Sequence, residues 1–229
     1  MFGNLFHSSD VVSTSLAVGT VATFATSVLV FVGLTWVSER WRVVLALSGT
    51  ALLASAVSYL EAAEIWFANQ QLTAAHRYVG WFVVHPVQVV SVFFMTRVVG
   101  MVPVGIFWRS GVAAILMVLS RYLGDADIFN PTLGVLLSMA FWLYILGEMY
   151  FGAMSDIMKP TSRPMRLSYF WVRLIMTIGW AIYPILHFVD VVIGTGHSSG
   201  IVVLYTVADL INLITISMIF LAVAGKERY

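Results

Sequence analysis

The sequence predicts an all-α membrane protein, one seven-transmembrane-helix bundle occupying residues 1–229 as a single domain. Three observations lead there. Hydrophobic residues make up 60% of the chain and charged residues only 10%, with a mean hydropathy of +0.94. A soluble domain of this length needs more polar surface, so the surplus apolar surface must face lipid. The apolar residues also gather into seven runs, each long enough to cross a hydrocarbon core of about 30 Å as a helix. Finally, basic and acidic residues sort to opposite ends of those runs, as an odd number of spans requires.

The spans run Val11–Val37, Trp41–Trp66, Arg77–Val99, Val104–Leu123, Pro131–Ser155, Arg166–Val189 and Ser199–Ala224. The first follows Met1–Asp10, which lacks the positive region of a cleavable signal, so this span is expected to be retained. Ser38-Glu39-Arg40 separates the first two. The second and third are joined by a longer polar stretch, Ala68–His76. Gly124–Asp127 closes the fourth, Lys159–Pro164 separates fifth from sixth, and Gly194–His197 separates sixth from seventh. In lipid every backbone polar group needs an internal partner, which favours helices over an open sheet. No internal repeat or low-complexity tract is evident.

Arg40, Arg42, Arg97, Lys159, Arg163, Arg166, Lys226 and Arg228 fall on one side of this arrangement, and Asp10, Asp125, Asp127 and Asp190 on the other. The positive-inside rule then puts the N-terminus outside and the C-terminus in the cytoplasm, as expected for an integral protein of a prokaryotic inner membrane. Trp36, Trp41, Trp66 and Trp108 lie near span ends and read as interfacial anchors. The net charge of +1 points away from nucleic acid, and the absence of cysteine excludes disulfides, thiol nucleophiles and cysteine-bound metals.

Polar residues inside the spans carry the functional information, because charge at that depth is costly without a partner or water. Arg77 opens the third span and Asp209 lies about halfway along the seventh, so the two read as a core charge pair. Glu61 and Glu64 share one face of the second span, with Tyr59 one step deeper. His85 precedes Pro86, where proline frees a backbone carbonyl; local hydrogen bonding is the simpler reading, proton transfer or ligand contact the other. Glu61, Glu64 and His76 make a weak metal set, since paired carboxylates at a helix end are usually solvated, and no metal is expected. No nucleophile–base–orienter set is evident, so no enzyme is expected.

The third span contains Arg77-Tyr78-Val79-Gly80-Trp81, then His85-Pro86. The fifth contains Trp142-Leu143-Tyr144 and Glu148-Met149-Tyr150; the sixth, Gly179-Trp180-Ala181-Ile182-Tyr183-Pro184; the seventh, Ala208-Asp209-Leu210-Ile211-Asn212-Leu213. In these strings, and in their order over nearly the whole chain, the sequence resembles the microbial rhodopsins, most closely the proteorhodopsins. The resemblance implies that Trp81, Trp180, Tyr183 and Pro184 stand at retinal-cage positions and Tyr59 at the second-helix tyrosine. Gln88 stands at a colour-tuning position, and His187 where another cage aromatic is often found.

The resemblance also exposes departures. Leu213 stands where the family's lysine forms the retinal Schiff base, and the only lysines, Lys159 and Lys226, lie outside the apolar runs. Gly80 stands at the counterion and proton-acceptor aspartate, Val84 at a neighbouring threonine, Ser91 at the proton donor, and Ser58 at the histidine that assists the counterion. These losses agree electrostatically. Removing the iminium cation alone would strand a carboxylate in low dielectric; removing the Gly80-position carboxylate too leaves Arg77 and Asp209, which sum to zero. No covalently bound cofactor is therefore expected. A non-covalent retinal or carotenoid is compatible with an apolar pocket formed by Tyr59, Trp81, Gln88, Trp180, Tyr183, Pro184 and Leu213. Three readings stay open: a non-photochemical scaffold or oligomer subunit, as a homomer or with a retinal-binding rhodopsin; a receptor for an apolar ligand; or a passive ion or proton pathway through Arg77, Asp209, Glu61, Glu64 and His85.

Overall fold

In the computed structural model, residues 10–69, 72, 74–193 and 199–227 are described. Seven helical spans are long and apolar enough to cross a membrane, and no strand occurs among the described residues. The expected turn at residues 194–197, Arg228 and most of the N-terminal leader lie outside the described residues, as do parts of the link between second and third spans.

α1 (Val11–Gly33) starts where it does because Asp10 caps it, accepting from the backbone N–H of Val12 at 3.1 Å and of Ser13 at 3.4 Å. The Trp66 indole donates to the same carboxylate and ties the end of α2 (Glu39–Asn69) to the start of α1. α2 begins at Glu39, two residues before the expected start, and is the longest element at 31 residues. α3 (Ala74–Arg97) runs through Pro86, and α4 (Val104–Asp125) extends two residues beyond the expected Leu123.

The fifth and sixth spans are each built from pieces. α5 (Pro131–Phe151) starts on an Asn130 cap with Pro131 at its first turn, where a missing N–H costs nothing. It breaks at Gly152, and α6 (Ala153–Met158) follows. A Cβ at Gly152 would lie 2.5 Å from the Glu148 carbonyl oxygen, so this break requires glycine. α7 (Arg163–Leu174) passes into a π-helical turn, Ile175–Gly179, and then α8 (Trp180–Ile193), which carries Pro184 internally. The π turn is held from outside the helix: the Trp142 indole on α5 donates to the Met176 carbonyl at 2.9 Å. α9 (Ser199–Lys226) completes the bundle.

Successive helices pack as neighbours, and α9 closes the ring against α1 and α2. At the end where α2 begins and α3 and α9 finish stand Arg40, Arg42, Arg97, Lys159, Arg163, Arg166 and Lys226; this is the basic end, opposite the acidic end with Asp10 and Asp125. Toward the basic end the helices pack closely around a set of large apolar side chains. Leu45, Leu52, Phe93, Met95 and Phe220 are at most 2% exposed, and Ser48 donates to Ser217 at 2.7 Å between α2 and α9. Valines, leucines and isoleucines on the outer helix faces stay exposed, as a lipid-facing surface demands.

The four expected anchoring tryptophans divide. Trp36 and Trp108 are 45% and 64% exposed and face outward, but Trp41 and Trp66 are buried at 1% and 8%. Trp41 lies on the face of α2 that packs into the main core, and the contact with Asp10 draws in Trp66.

Candidate functional site

The centre of the acidic half is built around Asp209 on α9. Its Oδ2 accepts from the Tyr59 hydroxyl on α2 at 2.9 Å and the Trp81 indole on α3 at 3.2 Å. Its Oδ1 accepts from the Tyr183 hydroxyl on α8 at 2.5 Å. Tyr183 in turn accepts from the Asn212 amide at 3.1 Å, so one turn of α9 holds both ends of this relay. Asn212 reaches Tyr183 only because α8 is preceded by Gly179: a Cβ there would lie 1.7 Å from Asn212 Oδ1.

Arg77 and Asp209, expected to pair directly or through water, are not in direct contact. Among the described residues it makes no ion pair; its guanidinium lies 4.0 Å from the ring centroid of Tyr205 and 5.7 Å from that of Trp81. Tyr205 stacks on Tyr183 at 6.0 Å with the rings 8° apart. Neutral donors thus take up the carboxylate, and aromatic faces take up the cation.

Leu213 is 3% exposed and follows Asn212 into the same cavity, of about 70 Å³. Ser58, Tyr59, Gly80, Val84, Gln88 and Asp209 also line it. Since a water needs about 10–15 Å³ measured this way, a few waters fit, while ligand pockets start at about 300 Å³. The cavity runs from His76 and Arg77 toward the acidic end down to Gln88 and Leu213, where the closely packed apolar side chains begin. Asn212 Oδ1 and Gln88 Nε2, both buried on its wall, have no hydrogen-bond partner among the described residues.

Gly80 is packed, not open. A Cβ there would lie 2.6 Å from Ser58 Oγ and 2.9 Å from Ser58 Cβ, so two small residues let α2 and α3 close on each other. Ser91 is 1% exposed and donates to the Val87 carbonyl at 2.7 Å, satisfied within its own helix.

His85 is 5% exposed, with Nδ1 3.3 Å from the Trp81 carbonyl oxygen. Its ring lies between the two tryptophans, 5.3 Å from Trp81 and 4.9 Å from Trp180 between centroids. A second cavity of about 50 Å³ lies beyond it, lined by Met117, Met139, Trp142, Trp180 and Pro184. Trp81, His85 and Tyr183 line both cavities and form the wall between them. Glu61 and Glu64 are exposed on the outer face of α2 and are not among the lining residues, so the polar set proposed as a pathway is not brought together. Among the described residues no group of three acidic or histidine side chains could hold a metal.

One network was missed by the sequence reading. Arg121 and Asp125, one turn apart on α4, pair at 2.9 Å with side chains 12% and 8% exposed. Tyr78 donates to Asp125 at 2.5 Å, and Arg121 Nη2 donates to His187 Nδ1 at 2.8 Å. Asp125 therefore belongs to the helix and the core, not to a turn. The signal was an arginine inside an apolar run with an acid four residues on.

Over 221 residues, 96% of this chain and 88% of the relative, the sequence is 27% identical to a blue-light absorbing proteorhodopsin of Gamma-proteobacterium Hot 75m4. It is 25% identical over 226 residues, 98% of this chain and 91% of the relative, to a green-light absorbing proteorhodopsin of Gamma-proteobacterium EBAC31A08. The fold is shared with the crystal structures of a thermophilic rhodopsin (TM-score 0.83, 21% identity, 99% of this chain and 96% of that one) and of a blue light-absorbing proteorhodopsin from Med12 (TM-score 0.81, 24% identity, 95% and 100%). The family model described as bacteriorhodopsin-like protein matches residues 10–226, and the chain belongs to that family.

Proposed function

We propose that this protein is a rhodopsin-family membrane protein that forms no retinal Schiff base, does not pump protons in response to light, and serves as a non-photochemical scaffold or oligomer subunit. Leu213 carries this reading. It occupies the lysine's position in the seventh-helix string, faces the cavity beside Asp209, and has no nitrogen to condense with an aldehyde. The two lysines stand at the basic end: Lys159 is exposed and paired with Asp156 at 2.6 Å, and Lys226 is exposed on the last turn of α9. Three further residues support it. Gly80 has no room for a carboxylate against Ser58, Ser58 carries no imidazole, and Ser91 has no acidic proton to give. The close packing of Leu45, Leu52, Phe93 and Phe220 weighs against a passive pathway, because the polar cavity reaches only to Leu213 and Gln88. The protein sits in a prokaryotic inner membrane with its N-terminus outside, and assembles with itself or with a retinal-binding relative.

The second cavity favours one alternative, a receptor holding retinal or a carotenoid without a covalent bond. Such a polyene would need the His85 ring to leave the gap between Trp81 and Trp180, joining the two cavities. One experiment separates these readings: purify the protein from retinal-fed cells, record its visible spectrum, and follow external pH under illumination. The scaffold reading expects no band and no pH change. A band lost on detergent washing identifies the receptor, and a band that survives denaturation, or a light-driven pH change abolished by protonophore, overturns the proposal.

A further inference from the structure

We propose that the groove between α4 and α5 at the basic end seats one phospholipid of the adjoining leaflet, with its phosphodiester on Arg109 and an acyl chain along Ala113 and Ala140. The groove measures about 570 Å³ and is apolar except at one end. Arg109 marks that end. It stands five residues past Val104, about 7.5 Å along the helix axis, a depth from which an arginine reaches the phosphate layer. Trp108, 64% exposed beside it, is an interfacial side chain at the same level.

Among the described residues, Arg109 is the one charged residue lining the groove, and it stays largely exposed although it is ion-paired. Arg109 Nη2 meets Glu148 Oε1 at 2.9 Å, but the arginine side chain is 57% exposed and the glutamate 14%. The same Oε1 accepts from the Tyr144 hydroxyl at 3.2 Å. The carboxylate is thus the less exposed partner and already occupied, while a guanidinium keeps donors beyond the one that Glu148 takes, and a phosphate can take two of them. Lipid is the partner this chemistry selects. An exposed guanidinium with spare donors near the phosphate layer attracts an anion, and basic pockets between membrane helices are where anionic headgroups bind. The two alanines set the depth. Larger residues flank them, and from Arg109 to Leu116 the groove runs about 10.5 Å parallel to the helices, as an acyl chain of that leaflet does.

The test is native mass spectrometry of the full chain in detergent, titrated with a phosphatidylglycerol and, separately, with the diacylglycerol of the same acyl chains. The wild type should retain one phosphatidylglycerol in preference and no diacylglycerol. Arg109→Gln should lower that affinity at least fivefold, with Arg109→Lys intermediate because it keeps charge but loses the fork. Ala140→Leu fills the groove without touching the charge and should lower it too, which keeps the test decisive if Arg109→Gln fails to fold. Equal retention of diacylglycerol, or wild-type phosphatidylglycerol binding by folded Arg109→Gln and Ala140→Leu, overturns the assignment. A change of oligomeric state in Ala140→Leu with lipid retention unaltered also overturns it, and makes the groove a protein interface.

Discussion

Asp209 should be coupled energetically to Tyr183 more strongly than to Arg77. The Tyr183 hydroxyl donates to Oδ1 at 2.5 Å, whereas Arg77 lies on the Tyr205 ring and touches no carboxylate. A hydrogen bond to a charged acceptor contributes about 1.5–3 kcal/mol, and removing one partner of a buried pair adds the desolvation of the other. Tyr183→Phe should therefore cost at least about 1.5 kcal/mol, since it also strips the acceptor from the Asn212 amide. Asp209→Asn should cost about 1–3 kcal/mol, because the new amide meets hydroxyl and indole donors where an oxygen stood. In the double mutant most of the shared loss is counted once, giving a coupling of about 1.5 kcal/mol or more. The cycle of Arg77→Gln with Asp209→Asn should show about 0.5 kcal/mol, the residual for groups without direct contact. Unfolding in detergent, followed by tryptophan fluorescence and corrected for each variant's slope, measures both cycles. A larger coupling for Arg77 than for Tyr183 would refute the argument and restore the direct charge pair.

Other perturbations give separate tests. Gly80→Ala should destabilise by about 1–2 kcal/mol, overpacking against Ser58 outweighing the helix gained, and the loss should shrink in a Ser58→Gly background; additivity of the two changes sinks the packing account. Leu213→Lys with Gly80→Asp should form little retinal pigment unless Ser58→Gly is added, as read by visible absorption. A strong pigment without the third change shows that α2 and α3 part more easily than their contact implies. Asp10→Ala should cost about 1 kcal/mol through its lost cap, seen as a lower melting temperature. Burial raises the pKa of Asp10, but hydrogen bonds from Trp66, Val12 and Ser13 outweigh it and hold the group below its usual 3.8. Its stabilisation is then present above about pH 3.8 and lost as pH falls through the lower folded value, and Asp10→Asn should remove that part of the acid sensitivity.

The seven spans were legible because hydropathy over twenty residues is a strong signal and lipid permits few alternatives. Features set by contacts between spans were not. The π turn at Ile175–Gly179 carries no proline or capping residue; it depends on an indole from α5 reaching the Met176 carbonyl. Trp41 looked like an anchor because it stands near a span end, yet its position around α2 decides its fate, and packing against the neighbouring helices sets which face turns inward. Arg77 and Asp209 were both visible as intramembrane charges. Charge alone could not tell that three neutral donors converge on the acid while a tyrosine ring takes the arginine. Arg121 escaped because its acid, Asp125, looked like part of a turn.

The substitutions at Leu213, Gly80 and Ser58 fit one rearranged interior. A carboxylate at the Gly80 position would need both a cation nearby and a gap between α2 and α3. With leucine at 213 no cation from α9 arrives, and with glycine facing serine the gap is closed. On the proposed reading Asp209 is held without a Schiff base, because its partners are hydroxyl and indole donors. Arg77 and Arg121 balance Asp209 and Asp125, so these four interior charges sum to zero although only the second pair is in contact. His85 occupies the gap between Trp81 and Trp180 and makes the aromatic cage a packed cluster. If the proposed reading holds, a lysine at position 213 addresses one of several coupled positions, and the number of changes among Leu213, Gly80 and Ser58 needed before pigment forms reports how strongly they are coupled.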